Sequence, residues 1–135
     1  MRLMTLAISA TLLAAALVTA APISIDRPAK DFPAVERKLH GGWTGEGPCG
    51  GELNLLADGT FTRQHYGPGN VSLAGTWSVR WDALPPTLVL TCKNSTDPAH
   101  LDKVSSVKLV ELDDDNLAYQ WPGQSKPVRY KRTKK

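Results

Sequence analysis

The sequence predicts an all-β domain, an eight-stranded antiparallel up-and-down barrel with one short N-terminal helix. Three observations carry that reading. Between Gly41 and Tyr130, apolar residues recur at every second position, the period of a strand with one face buried. Turn residues break this alternation every 8 to 14 positions, which suits short strands in a meander. No internal repeat or second domain shows, and closing the meander would remove its two exposed edges.

The first twenty residues read as a secretory signal peptide, outside the fold. Arg2 supplies a positive start, Leu3 to Leu17 is almost wholly apolar, and Val18-Thr19-Ala20 gives a peptidase-type cleavage site. The apolar run is short and Ala-rich for a membrane span, so no stable membrane anchor is expected. The mature chain then begins at Ala21, has 115 residues and is secreted or periplasmic. Residues 21–30, with Pro22 and Pro28, read as a mobile leader. The barrel domain is expected over residues 31–132, followed by a basic tail at 133–135.

From Asp31 to His40 the apolar residues Phe32, Val35 and Leu39 fall at helical spacing. Asp31 is a candidate N-cap, Pro33 is tolerated in the first turn, and Gly41-Gly42 ends the helix. So short a helix is marginal alone and must dock on the barrel.

The strands follow in order. Trp43, Gly45, Gly47 and Cys49 share a face of the first, and Leu53 and Leu55 point inward on the second. At Ala57-Asp58-Gly59, a two-residue turn would put Leu53 and Leu55 on the wrong face. A three-residue loop with Gly59 left-handed instead pairs Leu55 with Phe61. The third strand runs Thr60 to Tyr66. On the fourth, Leu73, Gly75, Trp77, Val79 and Trp81 face one way; on the fifth, Leu88, Leu90 and Cys92 do. Lys93 to Lys103 reads as a polar crossover. Val104 to Leu112 is a strand of ambiguous parity, with Val107 and Leu109 on one face and Val110 and Leu112 on the other. Leu117, Tyr119 and Trp121 line the seventh strand, and Val128, Tyr130 and Arg132 the eighth.

Cys49 and Cys92 are the only cysteines. An even count in an oxidising compartment predicts one disulfide, closing a loop of 44 residues and worth about 4 kcal/mol on the chain-entropy model. No Cys-x-x-Cys pattern suggests metal or redox use instead.

The mature chain carries 15 basic and 13 acidic residues. Lys126, Arg129, Lys131, Arg132, Lys134 and Lys135 cluster at the end without an acidic neighbour. They read as a solvated final strand with a basic tail, or as a contact for an anionic partner. Elsewhere the basic residues are not interleaved with exposed aromatics, so no nucleic acid is expected as a partner.

Nothing in the sequence assembles an active site. His40, His65 and His100 lack the close spacing of paired metal ligands, so no metal and no cofactor is implied. There is no Gly-x-Ser-x-Gly, and no catalytic residue is assigned. Asp113-Asp114-Asp115-Asn116 lacks the Gly and distal Glu of a calcium loop and reads as a hairpin turn. Asn70-Val71-Ser72 and Asn94-Ser95-Thr96 fit the glycosylation sequon. The aromatics Trp43, Trp77, Trp81, Trp121, Tyr119 and Tyr130 all take inward parity. They either fill a core or line a mouth for a small apolar ligand, with Trp77, Trp81, Tyr119 and Trp121 the candidate contacts.

The helix leading into Gly41-Gly42-Trp43, then Leu55 through Phe61, Gly75-Thr76-Trp77 and Leu88-Val89-Leu90-Thr91, resembles the small exported lipocalin-like, or calycin-type, domains. That resemblance, spanning Leu39 to Lys131, implies an eight-stranded barrel acting as a non-enzymatic binding module for a small apolar ligand. It also implies a barrel-closing contact in which Trp43 packs against Arg132, or against Arg129 if the last strand is shifted. A looser similarity is to exported inhibitors of bacterial metalloproteases, which share a signal peptide, N-terminal trunk, Gly-x-Trp opening, disulfide and barrel. It implies an exported protein partner, a hydrolase, with Ala21 to Lys30 as the trunk.

Overall fold

A computed structural model of the chain describes residues 32–47, 50–65 and 69–134. Helix α1 (Phe32–Leu39) leads into β1 (Gly41–Gly45), β2 (Gly51–Leu55), β3 (Thr60–His65) and β4 (Ser72–Arg80). Then come β5 (Thr87–Ser95), β6 (Val104–Leu112), β7 (Asn116–Gln120) and β8 (Val128–Arg132), with a 3₁₀ turn Pro98–His100 between β5 and β6. Each strand pairs antiparallel with the next and β8 returns to β1, which closes the barrel. This is the expected all-β architecture with its short N-terminal helix, and it fits a calycin-like fold.

The β2–β3 hairpin shows how alternation sets register. Leu55 pairs with Phe61, both buried, and Gly59 takes φ +83°. Leu56 N–H donates to Thr60 O at 2.9 Å, while the Asp58 carboxylate accepts from Thr60 N and Oγ1 at 2.9 and 2.6 Å. The three-residue loop is therefore held by its own Asp as well as by its glycine.

Two bulges shape the rest. Gly75 pairs with Cys92 while Ala74 pairs with Asn94, leaving Lys93 as the extra residue on β5. A Cβ on Gly75 would lie 1.9 Å from Thr91 O, so only glycine fits this crossing. On β6, Leu109 pairs with Tyr119 and Glu111 with Ala118, which leaves Val110 unpaired. That extra residue resolves the ambiguous parity: Val107, Leu109 and Leu112 are all buried, and Val110 is exposed.

Two sequence boundaries are corrected. β1 ends at Gly45 and Gly47 takes φ +93°, so the strand stops short of Gly47. β5 runs on to Ser95, and the polar crossover begins later than expected. Beyond β8, Thr133 N–H donates to Gly42 O at 2.9 Å.

The interior is filled with side chains. Trp43, Leu53, Leu55, Leu88, Leu109, Leu112, Leu117 and Tyr119 are all fully buried. Each Leu in such a site stabilises by roughly 1.5–3 kcal/mol through transfer alone.

Candidate functional site at the far end of the barrel

One end of the barrel is covered by α1, whose Val35 and Leu39 are buried against the core. Trp43 Nε1–H donates to Leu39 O at 2.8 Å. The Arg132 guanidinium lies 4.1 Å from the Trp43 ring centre and donates to Lys38 O and His40 O at 2.6 and 2.9 Å. Its Nε–H also donates to Asp114 O. Arg129 instead pairs with Glu111 on the outer face. Lys131 reaches Glu46 at 3.6 Å, so part of the terminal basic cluster is charge-compensated.

The candidate ligand residues do not converge. Trp77 is buried near the covered end, where its Nε1–H donates to Leu56 O at 2.9 Å and its ring meets the edge of His40 at 5.6 Å. Trp81 stacks on Phe32 of α1 at 5.0 Å and donates to Glu36 Oε2 at 3.4 Å. Tyr119 and Trp121 belong to the other half. The Tyr119 and Tyr130 hydroxyls share a hydrogen bond of 2.8 Å, and burial pushes the Tyr119 phenol far above its ordinary range, with nearby Arg63 opposing. Trp121 meets Tyr119 edge-on at 6.1 Å.

At this far end the sequence reading missed a group of cations. Arg63 and His65 share inward parity with buried Phe61 on β3, and the Arg63 guanidinium lies 5.7 Å from the Trp121 ring centre. His100 and Lys103 reach the same end from the connection between β5 and β6. Burial, then the positive charges of Arg63 and His100, hold the His65 pKa below its ordinary 6.5. A cavity of about 40 Å³ lies between Phe61, Arg63, Leu90, His100, Lys103 and Ser105. It has room for one small polar group.

Cys92 borders that cavity, and its Sγ lies 3.3 Å from Asn94 O. Its expected partner Cys49 lies outside the described residues, as do the signal peptide, the leader and the Asp31 cap. On the outer face a groove of about 340 Å³ runs between Glu52, Asn54, Gln64, Ala74 and Asn94. Asn70 and Asn94, the sequon asparagines, are both exposed.

Among the described residues no helix is long and apolar enough to cross a membrane. Nor, among them, do three His, Cys, Asp or Glu side chains gather as a metal-holding group. Asp113 instead organises its turn: burial alone would raise its pKa. Hydrogen bonds from the Asn116 side chain and from the Asp115 and Asn116 amides, together with Lys38, hold it below the ordinary value. No protein-family model and no curated protein matches the chain, so its function has to be read from this geometry.

Proposed function

We propose that this protein is an exported, non-enzymatic, lipocalin-like binding module that engages another exported protein through its surface, as a hydrolase inhibitor would. The filled interior supports this over an enclosed apolar ligand. The cavity among the inward side chains measures about 40 Å³, against roughly 300–1,000 Å³ for a small-molecule pocket. Trp77 and Trp81 are already engaged by a backbone carbonyl and by α1. The lipocalin-like part of the reading draws on the helix entering Gly41-Gly42-Trp43 and on Arg132 over Trp43. Export draws on the character of residues 1–20, and a Cys49–Cys92 disulfide belongs to the same reading.

Tryptophan emission titrated with hydrophobic probes is expected to show no saturable change. Saturable one-to-one quenching would replace this reading with the apolar-ligand one. Assayed against a panel of secreted hydrolases, the protein is expected to inhibit at least one. Deleting Ala21 to Lys30 should abolish that inhibition without lowering the melting temperature. Absence of inhibition across the panel would overturn the inhibitor form of the proposal.

A further inference from the structure

We infer that the far end of the barrel is an anion site that takes a single carboxylate group, recognised by Arg63 and Lys103 and bordered by His100, with His65 nearby on β3. The inference does not rest on the protein-partner reading, because a free carboxylate suffices to test it. Four groups that are or can become cationic lie at this end of the barrel, drawn from β3 and from the connection between β5 and β6. Arg63, His100 and Lys103 line the same cavity, and His65 feels the charge of both Arg63 and His100.

The local carboxylates do not answer this charge. Asp97 lies 3.6 Å from His100 Nε2 but also accepts from Ala99 N–H at 2.9 Å, so it caps the 3₁₀ turn. Asp102 pairs at 3.8 Å with Lys93, the bulge residue. Glu52 and Arg63 both border the outer groove, with no ion pair between them. Among the described residues the Arg63 guanidinium and the Lys103 ammonium have no hydrogen-bond or ion-pair partner; Arg63 lies near the Trp121 ring.

The ligand class follows from shape and charge. A guanidinium presents parallel N–H donors that match the two oxygens of a carboxylate, and that of Arg63 lies 5.7 Å from the Trp121 ring centre. Phe61 and Leu90 give the cavity apolar walls, and a partly dehydrated site strengthens such a pair. About 40 Å³ admits the carboxylate itself and leaves the attached chain outside. A small carboxylic acid and the C-terminus of a protein present the same group here.

The test is an NMR titration of the purified protein, following the His65 and His100 ring protons and the Trp121 indole. The ligands are sodium acetate, decanoate, a tetrapeptide with a free C-terminus, the same peptide amidated, and inorganic phosphate, each at matched sodium chloride. Acetate and the free-acid peptide are expected to saturate the shifts, and the amidated peptide to leave them unmoved. Tighter binding of the peptide than of decanoate points to a protein terminus as the source; the reverse points to a small acid. Arg63→Gln should weaken binding at least tenfold. Lys103→Gln, at an exposed position, should weaken it without altering the melting temperature, which keeps the test valid if the first variant fails to fold. Shifts reproduced by chloride alone, shifts unchanged in both variants, no saturation, or phosphate binding tighter than acetate would each overturn the assignment.

Discussion

Arg132 stands over the indole of Trp43 at 4.1 Å, and the two residues are also direct partners across the β1–β8 seam. One side chain thus shields the Trp43 face and satisfies the carbonyls of Lys38 and His40 at the helix end. Arg132→Ala should cost about 3 kcal/mol, since it removes a cation–π contact and leaves carbonyls without their charged donor. A calorimetric melting temperature lowered by roughly 10 °C or more is the expected readout. Arg132→Lys should recover less than half of the loss, because an ammonium cannot reproduce the fork.

The β6 bulge predicts opposite outcomes for adjacent residues. Leu109→Ala and Leu112→Ala each create a cavity in the core and should cost about 2–5 kcal/mol by urea denaturation. Val110→Lys, at the exposed extra position, should change stability by less than about 0.5 kcal/mol.

His65 predicts a stability change at mildly acid pH. Its pKa lies below 6.5 in the folded protein, chiefly through burial and then through Arg63 and His100. The unfolded chain therefore takes up its proton first as pH falls, and the folded state loses stability. The melting temperature should be level above about pH 6.5 and decline below it, as pH falls toward the depressed folded value. His65→Gln should remove part of that slope while leaving the value at pH 7.5 nearly unchanged.

The proposed Cys49–Cys92 disulfide predicts two blocked thiols. Intact mass after alkylation without reductant should show no added label, and reduction should lower stability by about 4 kcal/mol. Free alkylation of both cysteines in the native exported protein would remove the bridge from the reading.

Legibility in the sequence followed how locally each feature is encoded. The Leu55–Phe61 register follows from alternation and one glycine within seven residues, so it could be read directly. The bulge residues Lys93 and Val110 carry no turn signal of their own. The only trace of Val110 was the conflict between Leu109 and Leu112, which a single unpaired residue resolves, and Lys93 left none. The far-end cations were invisible for a different reason. Arg63, His65, His100 and Lys103 come from distant segments, and only barrel closure brings them together. The candidate aromatics had the reverse fault: shared inward parity gave no information about which end of the barrel each would occupy.

The β1–β8 seam has a kinetic consequence. Trp43 and Arg132 meet near opposite limits of the domain, so the ring cannot shut until nearly all of the intervening chain has been made. Before β8 arrives, β1 and β7 each expose a row of unpaired backbone groups, open to pairing with another copy. Formation of the native ring is therefore governed by its most distant contact. This places the domain among slow folders and makes the incomplete chain its most aggregation-prone form.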